Sequence, residues 1–321
     1  MRLTIPVVRV AAGVVRVSGL NPGPFTLEGT NTYLLGSGER RVLVDTGDGE
    51  QADYFTELRK HLGGRARVGR ILLTHWHADH IGGVRQLLDS PDIVTPDCTV
   101  HKYADAEADG NESVAAMLET ARARDRLRGI ADGEVFDIDG GLQLRAVFTP
   151  GHTSDHMAFA VSLPSSSHTR LLVLTGDTVL GRGSTTVHAL GPYMDSLRRL
   201  LELQPTTLLP GHGTIVSGRD EDRSNAVRAI EGYIEHRIER ERQIAAALAA
   251  PPPPDAPPQP RNGAWRVDEV AAAVYTDVTD PPLVLAAQNN CRLHLDKLVR
   301  DGSAELRHAD GVDLYAIKSP S

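Results

Sequence analysis

Thr74-His75-Trp76-His77-Ala78-Asp79-His80, followed by Gly82-Gly83, is the stretch on which the rest of the chain turns. The apolar run Ile71-Leu72-Leu73 leads into it and reads as a buried strand. The glycines behind it permit a tight turn, or a close approach of backbone to a bound ion. His75 and His77 alternate as on an extended chain, so both imidazoles point to one side. Asp79 and His80 follow directly, in reach of a second centre a few ångströms away. This spacing of nitrogen and oxygen donors suits two transition metals, with zinc the default. A solvated loop with fortuitous histidines is the competing reading, and the donors that recur downstream count against it.

Each of those donors closes an apolar run. Leu144-Arg145-Ala146-Val147-Phe148 leads into Thr149-Pro150-Gly151-His152-Thr153. Leu171-Leu172-Val173-Leu174 leads into Thr175-Gly176-Asp177, and Thr207-Leu208-Leu209 into Pro210-Gly211-His212-Gly213. One Pro-Gly-His alone reads as a turn. Four such units in this order resemble the metallo-β-lactamase superfamily, whose pattern is His-x-His-x-Asp-His and then His, Asp and His from successive strand ends. The resemblance implies an α/β chain folded as a four-layer αββα sandwich around two zinc ions. His75, His77 and His152 would hold the first ion, and Asp79, His80 and His212 the second. Asp177 would bridge them, which makes Asp79 and Asp177 catalytic residues as well as ligands. In the superfamily an aspartate placed as Asp45 is, at the end of Arg41-Val42-Leu43-Val44, supports the metal-binding loop from behind. A metal-bound imidazole needs a partner for its other N–H, so that role makes physical sense. A turn-capping aspartate is the alternative.

The resemblance runs over nearly the whole chain. Asn21-Pro22-Gly23-Pro24, Thr26-Leu27, Gly29-Thr30-Asn31-Thr32-Tyr33-Leu34, Asp155-His156-Met157-Ala158 and His236-Arg237 look most like an endoribonuclease branch of the superfamily. Fungal polyketide thioesterases share much of the N-terminal part. Single-stranded RNA is the substrate this implies, with a small thioester as the alternative, and Asn31 and Tyr33 fall on the substrate side. Two zinc ions, less Asp79, Asp177 and one hydroxide, leave a net positive charge that suits a phosphodiester. After the bridging aspartate, Val179 to Thr186 is rich in glycine and hydroxyls. Arg182, Ser184 and Thr185 there can hold a substrate oxyanion, unless the segment is only a crossing loop. His156 is the candidate to protonate a leaving group; a supporting or core histidine is the other reading.

Composition sets the outer limits. A chain of 321 residues suggests one large domain and a small one. The net charge of −8 argues against coating nucleic acid or anionic membrane by bulk electrostatics, though not against a local anion site. Cys98 and Cys291 are far apart and outside any Cys-x-x-Cys pattern, so they read as reduced structural thiols. No apolar stretch is long enough to span a membrane, and Met1 to Pro6 carries no signal-type region. These features point to the cytoplasm; a short or internal address to the mitochondrial matrix stays open.

Strands are expected around Val7–Leu20, Leu27–Leu35, Arg41–Val44, Val135–Ile138, Leu142–Phe148 and Met157–Leu163. Helices are expected at Asp53–Leu62, Val84–Leu88, Tyr193–Leu203 and Arg223–Ala250. Asn111 to Arg128 has helical spacing in a stretch with little strand signal and reads as a surface insertion. Ser165-Ser166-Ser167 reads as a loop tip. The catalytic domain is assigned to residues 1–250, a stiff proline-rich linker to 251–260, and a winged-helix-like unit to 261–321. That unit shows helical stripes at Val267, Val270, Ala271 and Val274 and at Ala287, Cys291, Leu295 and Leu298, then a hairpin across Asp310-Gly311. From Arg261 on it holds seven basic and nine acidic residues, which is poor for phosphate contacts and weighs against a purely nucleic-acid-binding protein.

Overall fold

The computed structural model describes residues 5–163, 170–218, 224–251, 263–309 and 311–318. Two compact units are present: Met1–Thr186 with Pro192–Glu231, and Val187–Gly191 with Gly232–Ser321. The Ser165–Ser167 tip, Asp310 and the proline run from residue 252 on lie outside the described residues, so the linker at 251–260 stands as an expectation.

The first unit is built on two sheets. One contains β1 (Val7–Ala11), β2 (Val14–Ser18), β3 (Asn31–Leu35), β4 (Arg40–Val44), β5 (Arg67–Leu72), β6 (Val94–Lys102) and β7 (Leu127–Gly129), in that spatial order. Strands β1 to β4 pair antiparallel, and β4 to β7 parallel. On its outer face α1 (Ala52–Leu62), α2 (Ala78–Ile81), α3 (Val84–Leu88) and α5 (Glu112–Ala123) share one core cluster, and α4 (Ala106–Asp109) precedes α5 in the chain. Helix α1 shows why such a segment is helical. Its apolar Tyr54, Phe55, Leu58 and Leu62 fall on one buried face, and Gly63 ends it in the left-handed conformation at φ 64°.

The second sheet has the order β13-β12-β11-β10-β9-β8, from β8 (Val135–Ile138), β9 (Leu142–Phe148), β10 (Met157–Leu163), β11 (Arg170–Gly176), β12 (Thr207–Pro210) and β13 (Val216–Ser217). Alternate residues of both sheets meet in one core: Tyr33, Leu35, Val42 and Val44 with Leu144, Met157, Phe159, Val161 and Leu174. Strand β10 is also buried at Ala158 and Ala160, which point to the opposite face, so this sheet is covered on both sides. Helix α6 (Leu190–Glu202) buries Met194, Leu197 and Leu200. This is the expected αββα architecture.

Three sequence expectations need correction. Helix α5 is not a surface insertion. Its Val114, Leu118 and Ala121 are fully buried in the same cluster as Val68, Ile71 and Val100. Strands β6 and β7 flank it and were not legible: β6 carries Pro96 and Asp97 mid-strand, and β7 is only three residues long. The strand expected from Leu27 begins at Asn31, because Leu27 and Gly29 take positive φ of 54° and 117° and turn the chain.

The second unit contains the end of α7 (Asn225–Ala249), α8 (Val267–Val274), α9 (Pro281–Arg300) and a hairpin of β14 (Ala304–Ala309) and β15 (Val312–Ile317). Ile244, Leu248, Trp265, Val270, Cys291, Leu295 and Tyr315 form its core. Trp265 adds a bridge to the hairpin edge by exchanging backbone hydrogen bonds of 2.8 Å with Tyr315.

Candidate metal centre

Five strand ends point the same way. The segment after β4 gives Asp45, that after β5 gives His75 to His80, that after β9 gives His152, and those after β11 and β12 give Asp177 and His212. Ligands of α/β sheets commonly gather at carboxyl ends of strands, where loops are free to carry side chains inward. Here the donor atoms form two groups. One holds His75, His77, His152 and Asp177; the other holds Asp79, His80 and His212; within each group the atoms lie within 4.8 Å of one another.

Asp177 reaches both. Its carboxylate is 3.7 Å from His152 Nε2 on one side, and 3.5 Å from His80 Nε2 and 3.3 Å from His212 Nε2 on the other. Asp79 Oδ2 is 3.2 Å from both His80 Nε2 and His212 Nε2.

The nitrogens pointing away from the centre fix which ones point in. His80 Nδ1 donates to Asp45 Oδ2 at 2.8 Å, and His152 Nδ1 to the Thr186 carbonyl at 2.8 Å. His75 Nδ1 is 2.9 Å from Thr74 Oγ1, whose hydroxyl donates to Asp45 Oδ2 at 2.9 Å. With their protons held at the back, these imidazoles present lone pairs at the front. Asp45 sits at φ 60°, a conformation rare outside glycine, and also accepts from the Thr74 backbone N–H at 2.8 Å.

The donor set fits divalent ions. His75 Nε2 is 3.0 Å from His77 Nδ1, and His152 Nε2 is 3.1 Å from the same atom. Ligands on a tetrahedral zinc with bonds of about 2.05 Å stand about 3.3 Å apart. Charge tells the same story. Burial, with His80 and His152 alongside, pushes His75 well below its ordinary range, and burial with His152 takes His77 to about 3. These are neutral donors at neutral pH. Burial opposes charge on His212, but Asp177 and Asp79 outweigh it and lift the group to about 9. His80 is raised likewise by Asp79, Asp45 and Asp177 against its burial. Burial would raise Asp79 and Asp177, yet the His80 and His212 imidazoles hold both well below the usual carboxylate range. The carboxylates thus call for positive charge between them, which a divalent ion would supply in place of protons.

Other sequence-predicted residues take different places. Asn31 and Tyr33 turn their polar atoms to the protein's own backbone. Both are buried, and they hold the backbone around His212: Asn31 Nδ2 donates to the Pro210 and Gly213 carbonyls at 3.0 and 2.9 Å, and Tyr33 Oη to Pro210 at 2.8 Å. Thr185 is also buried, 3.1 Å from His152 Nδ1, and so sits behind a ligand. Ser184 is exposed, and Arg182 is exposed within 3.4 Å of Glu28. His156, the candidate to protonate a leaving group, is fully buried and bonds to the protein's own groups. Its Nε2 accepts from the Asp177 backbone N–H at 3.1 Å, and its Nδ1 is 2.9 Å from Thr149 Oγ1. Burial, with His152 near, pushes it well below its ordinary range, so it is a neutral support for Asp177.

Sequence reasoning passed over Thr30, whose hydroxyl donates to Asp79 Oδ2 at 2.9 Å, and Thr74. Both stand beside residues of the quoted motifs, but a threonine has no ligand signature of its own. Gly211 is needed for a steric reason: a Cβ there would collide with the Asp177 carboxylate and the His80 ring.

A family model described as the metallo-beta-lactamase superfamily matches residues 25–212, which carry all seven clustered donors. The chain belongs to the metallo-β-lactamase superfamily. It is 34% identical to the beta-lactamase-like protein 2 homolog of Drosophila melanogaster, over 100% of this chain and 99% of that one. It is 35% identical to the atrochrysone carboxyl ACP thioesterase of Aspergillus fumigatus, over 83% of this chain and 76% of that one. A solved beta-lactamase domain protein from Burkholderia ambifaria superposes with a TM-score of 0.72 at 22% identity, covering 99% of this chain and 95% of that one, a likeness of fold. As a member of this superfamily the chain is a hydrolase, and its His/Asp cluster fits a dinuclear metal site.

Proposed function

We propose that the protein is a metal-dependent endoribonuclease that cleaves single-stranded RNA at a dinuclear zinc site. The motifs that resemble the endoribonuclease branch carry this reading. The match to the Drosophila relative spans the whole chain, C-terminal unit included, whereas the match to the thioesterase covers 83% of it. In this reading His75, His77 and His152 would hold one ion and Asp79, His80 and His212 the other, with the Asp177 carboxylate within reach of both groups.

Two bound ions would supply an activated water at neutral pH and positive charge for the attacked phosphodiester. The chain's own residues do the rest. Asp45 holds His80 directly and His75 through Thr74, so one carboxylate orients a ligand in each group. His156 fixes the backbone of Asp177, and Thr30 orients Asp79. Exposed Arg182 and Ser184 offer a cation and a hydroxyl to the substrate's phosphates. The C-terminal unit, read as winged-helix-like, contributes RNA binding and no chemistry.

A second reading, thioester hydrolysis, is favoured by the 35% identity to the thioesterase. The experiment that separates them is a panel on zinc-loaded protein: single-stranded RNA, duplex RNA, single-stranded DNA and an acyl thioester. Cleavage of single-stranded RNA above all others is expected. Hydrolysis of the thioester with intact RNA would replace the nuclease reading and leave the metal site as described.

A further inference from the structure

A lysine that lies outside the donor set is built into the same region. Lys102, at the end of β6, is 4% exposed. Its ammonium pairs with Asp155 Oδ2 at 3.0 Å, and it donates to Asp109 Oδ1 at 2.9 Å and to the Tyr103 carbonyl at 2.9 Å. Asp155 is fully buried, and its other oxygen accepts from Thr153 Oγ1 at 2.6 Å. Asp109 is itself held, since its Oδ2 accepts from the Asp105 backbone N–H at 3.0 Å. A further strut runs alongside, from Ser154 Oγ to Asp105 Oδ1 at 2.9 Å.

The segment gripped in this way is Thr149 to His156. It carries His152 into the first group of donors, and it carries His156 under the backbone of Asp177. Four consecutive residues, Thr153 to His156, face inward or are tied by side-chain hydrogen bonds, and none of those bonds reaches a donor atom of the cluster. A surface loop needs no buried ion pair. Burying a lysine and an aspartate together is costly unless each is fully hydrogen-bonded, and removing one partner strands the other as an uncompensated charge. The geometry points to Lys102 as a positioning residue: through Asp155 it locks the Thr149–His156 segment in the register that places His152 at the first metal position. This rests on the proposed metal site but not on RNA as the substrate.

The test uses full-length protein in three forms beside the parent: Lys102→Met, Asp155→Asn, and the two combined. Metal affinity is read by competition with a chromophoric chelator, and site occupancy by the visible spectrum of cobalt-substituted protein. Lys102→Met is expected to weaken one of the two ions by about tenfold or more, the size of effect seen when a supporting partner is lost. The other ion, held by Asp79, His80 and His212, is expected to lose less affinity than the first, because none of its ligands lies on the gripped segment. The combined variant removes both buried charges and is expected to regain most of the lost affinity. If Lys102→Met does not fold, Asp155→Asn, which keeps its size, is expected to show the same site-selective loss. Parent-like affinity at both ions in either folded single variant would overturn the inference, as would an equal loss at both. A parent that binds no metal would instead overturn the metal site itself, and the RNA assay plays no part in either outcome.

Discussion

Asp45 Oδ2 stands 2.8 Å from His80 Nδ1, and the same carboxylate accepts the hydroxyl of Thr74, which lies 2.9 Å from His75 Nδ1. One buried side chain therefore sets the tautomer of a histidine in each donor group. Asp45→Asn keeps the size but can no longer accept from both neighbours with a full charge. We expect both ions to be bound about 10- to 100-fold more weakly, measured by chelator competition. A variant with parent affinities would remove Asp45 from the account.

Tyr33 gives a contrasting expectation. Its hydroxyl is buried against the Pro210 carbonyl, which Asn31 also reaches at 3.0 Å. Tyr33→Phe leaves that carbonyl with a partner, so the loss is one hydrogen bond, about 1 kcal/mol in urea unfolding. KM should be unchanged. A raised KM with parent stability would return Tyr33 to the substrate side.

Why was so much of the centre legible, and the substrate side not? Metal ligands are few residue types, and the strand–glycine–ligand unit repeats at His152, Asp177 and His212, so pattern alone brings them together. Asn31 and Tyr33 sit in an equally distinctive motif, but a motif does not say which way a side chain points. In β3 every residue is buried, so alternation gives no inward or outward face to read. Helix α5 misled for a related reason. Its spacing at Val114, Leu118 and Ala121 marks an apolar face, but the strands on either side of it in the chain left no signal: β6 carries Pro96 and Asp97, and β7 is three residues long. Lys102 had none either, because a lysine in a strand reads as solvated until burial is known.

The second unit offers a pH test. Glu241 lies with Oε2 3.7 Å from His294 Nδ1 and Oε1 3.0 Å from Lys297 Nζ, and Lys297 is in turn 2.6 Å from Asp301. His294 first, then Lys297, hold Glu241 below its ordinary range against the effect of burial. A carboxylate depressed on folding stabilises the fold above its unfolded pKa, about 4.3, and that contribution is lost as the pH falls through the lower folded value. Glu241→Gln should therefore melt below the parent by a constant amount at neutral pH, and the gap should narrow below about pH 4.3. Melting temperatures from pH 7 to pH 3 check this. A gap that widens toward acid would reverse the sign and contradict the assignment.

The most direct measurement is cleavage of end-labelled single-stranded RNA by zinc-loaded parent and by Asp177→Asn, on a gel, with melting temperature as the control for folding. Asp177 faces both donor groups, and its carboxylate is the feature that makes them one site. The asparagine keeps the volume but gives up the charge and one anionic oxygen. Misplacing a reacting group by about 1 Å costs on the order of 100-fold. The parent is expected to cleave RNA and the folded variant to be slower by at least roughly 100-fold, with RNA affinity within a few-fold. Equal cleavage by the two proteins, or none by the metal-loaded parent, would contradict it.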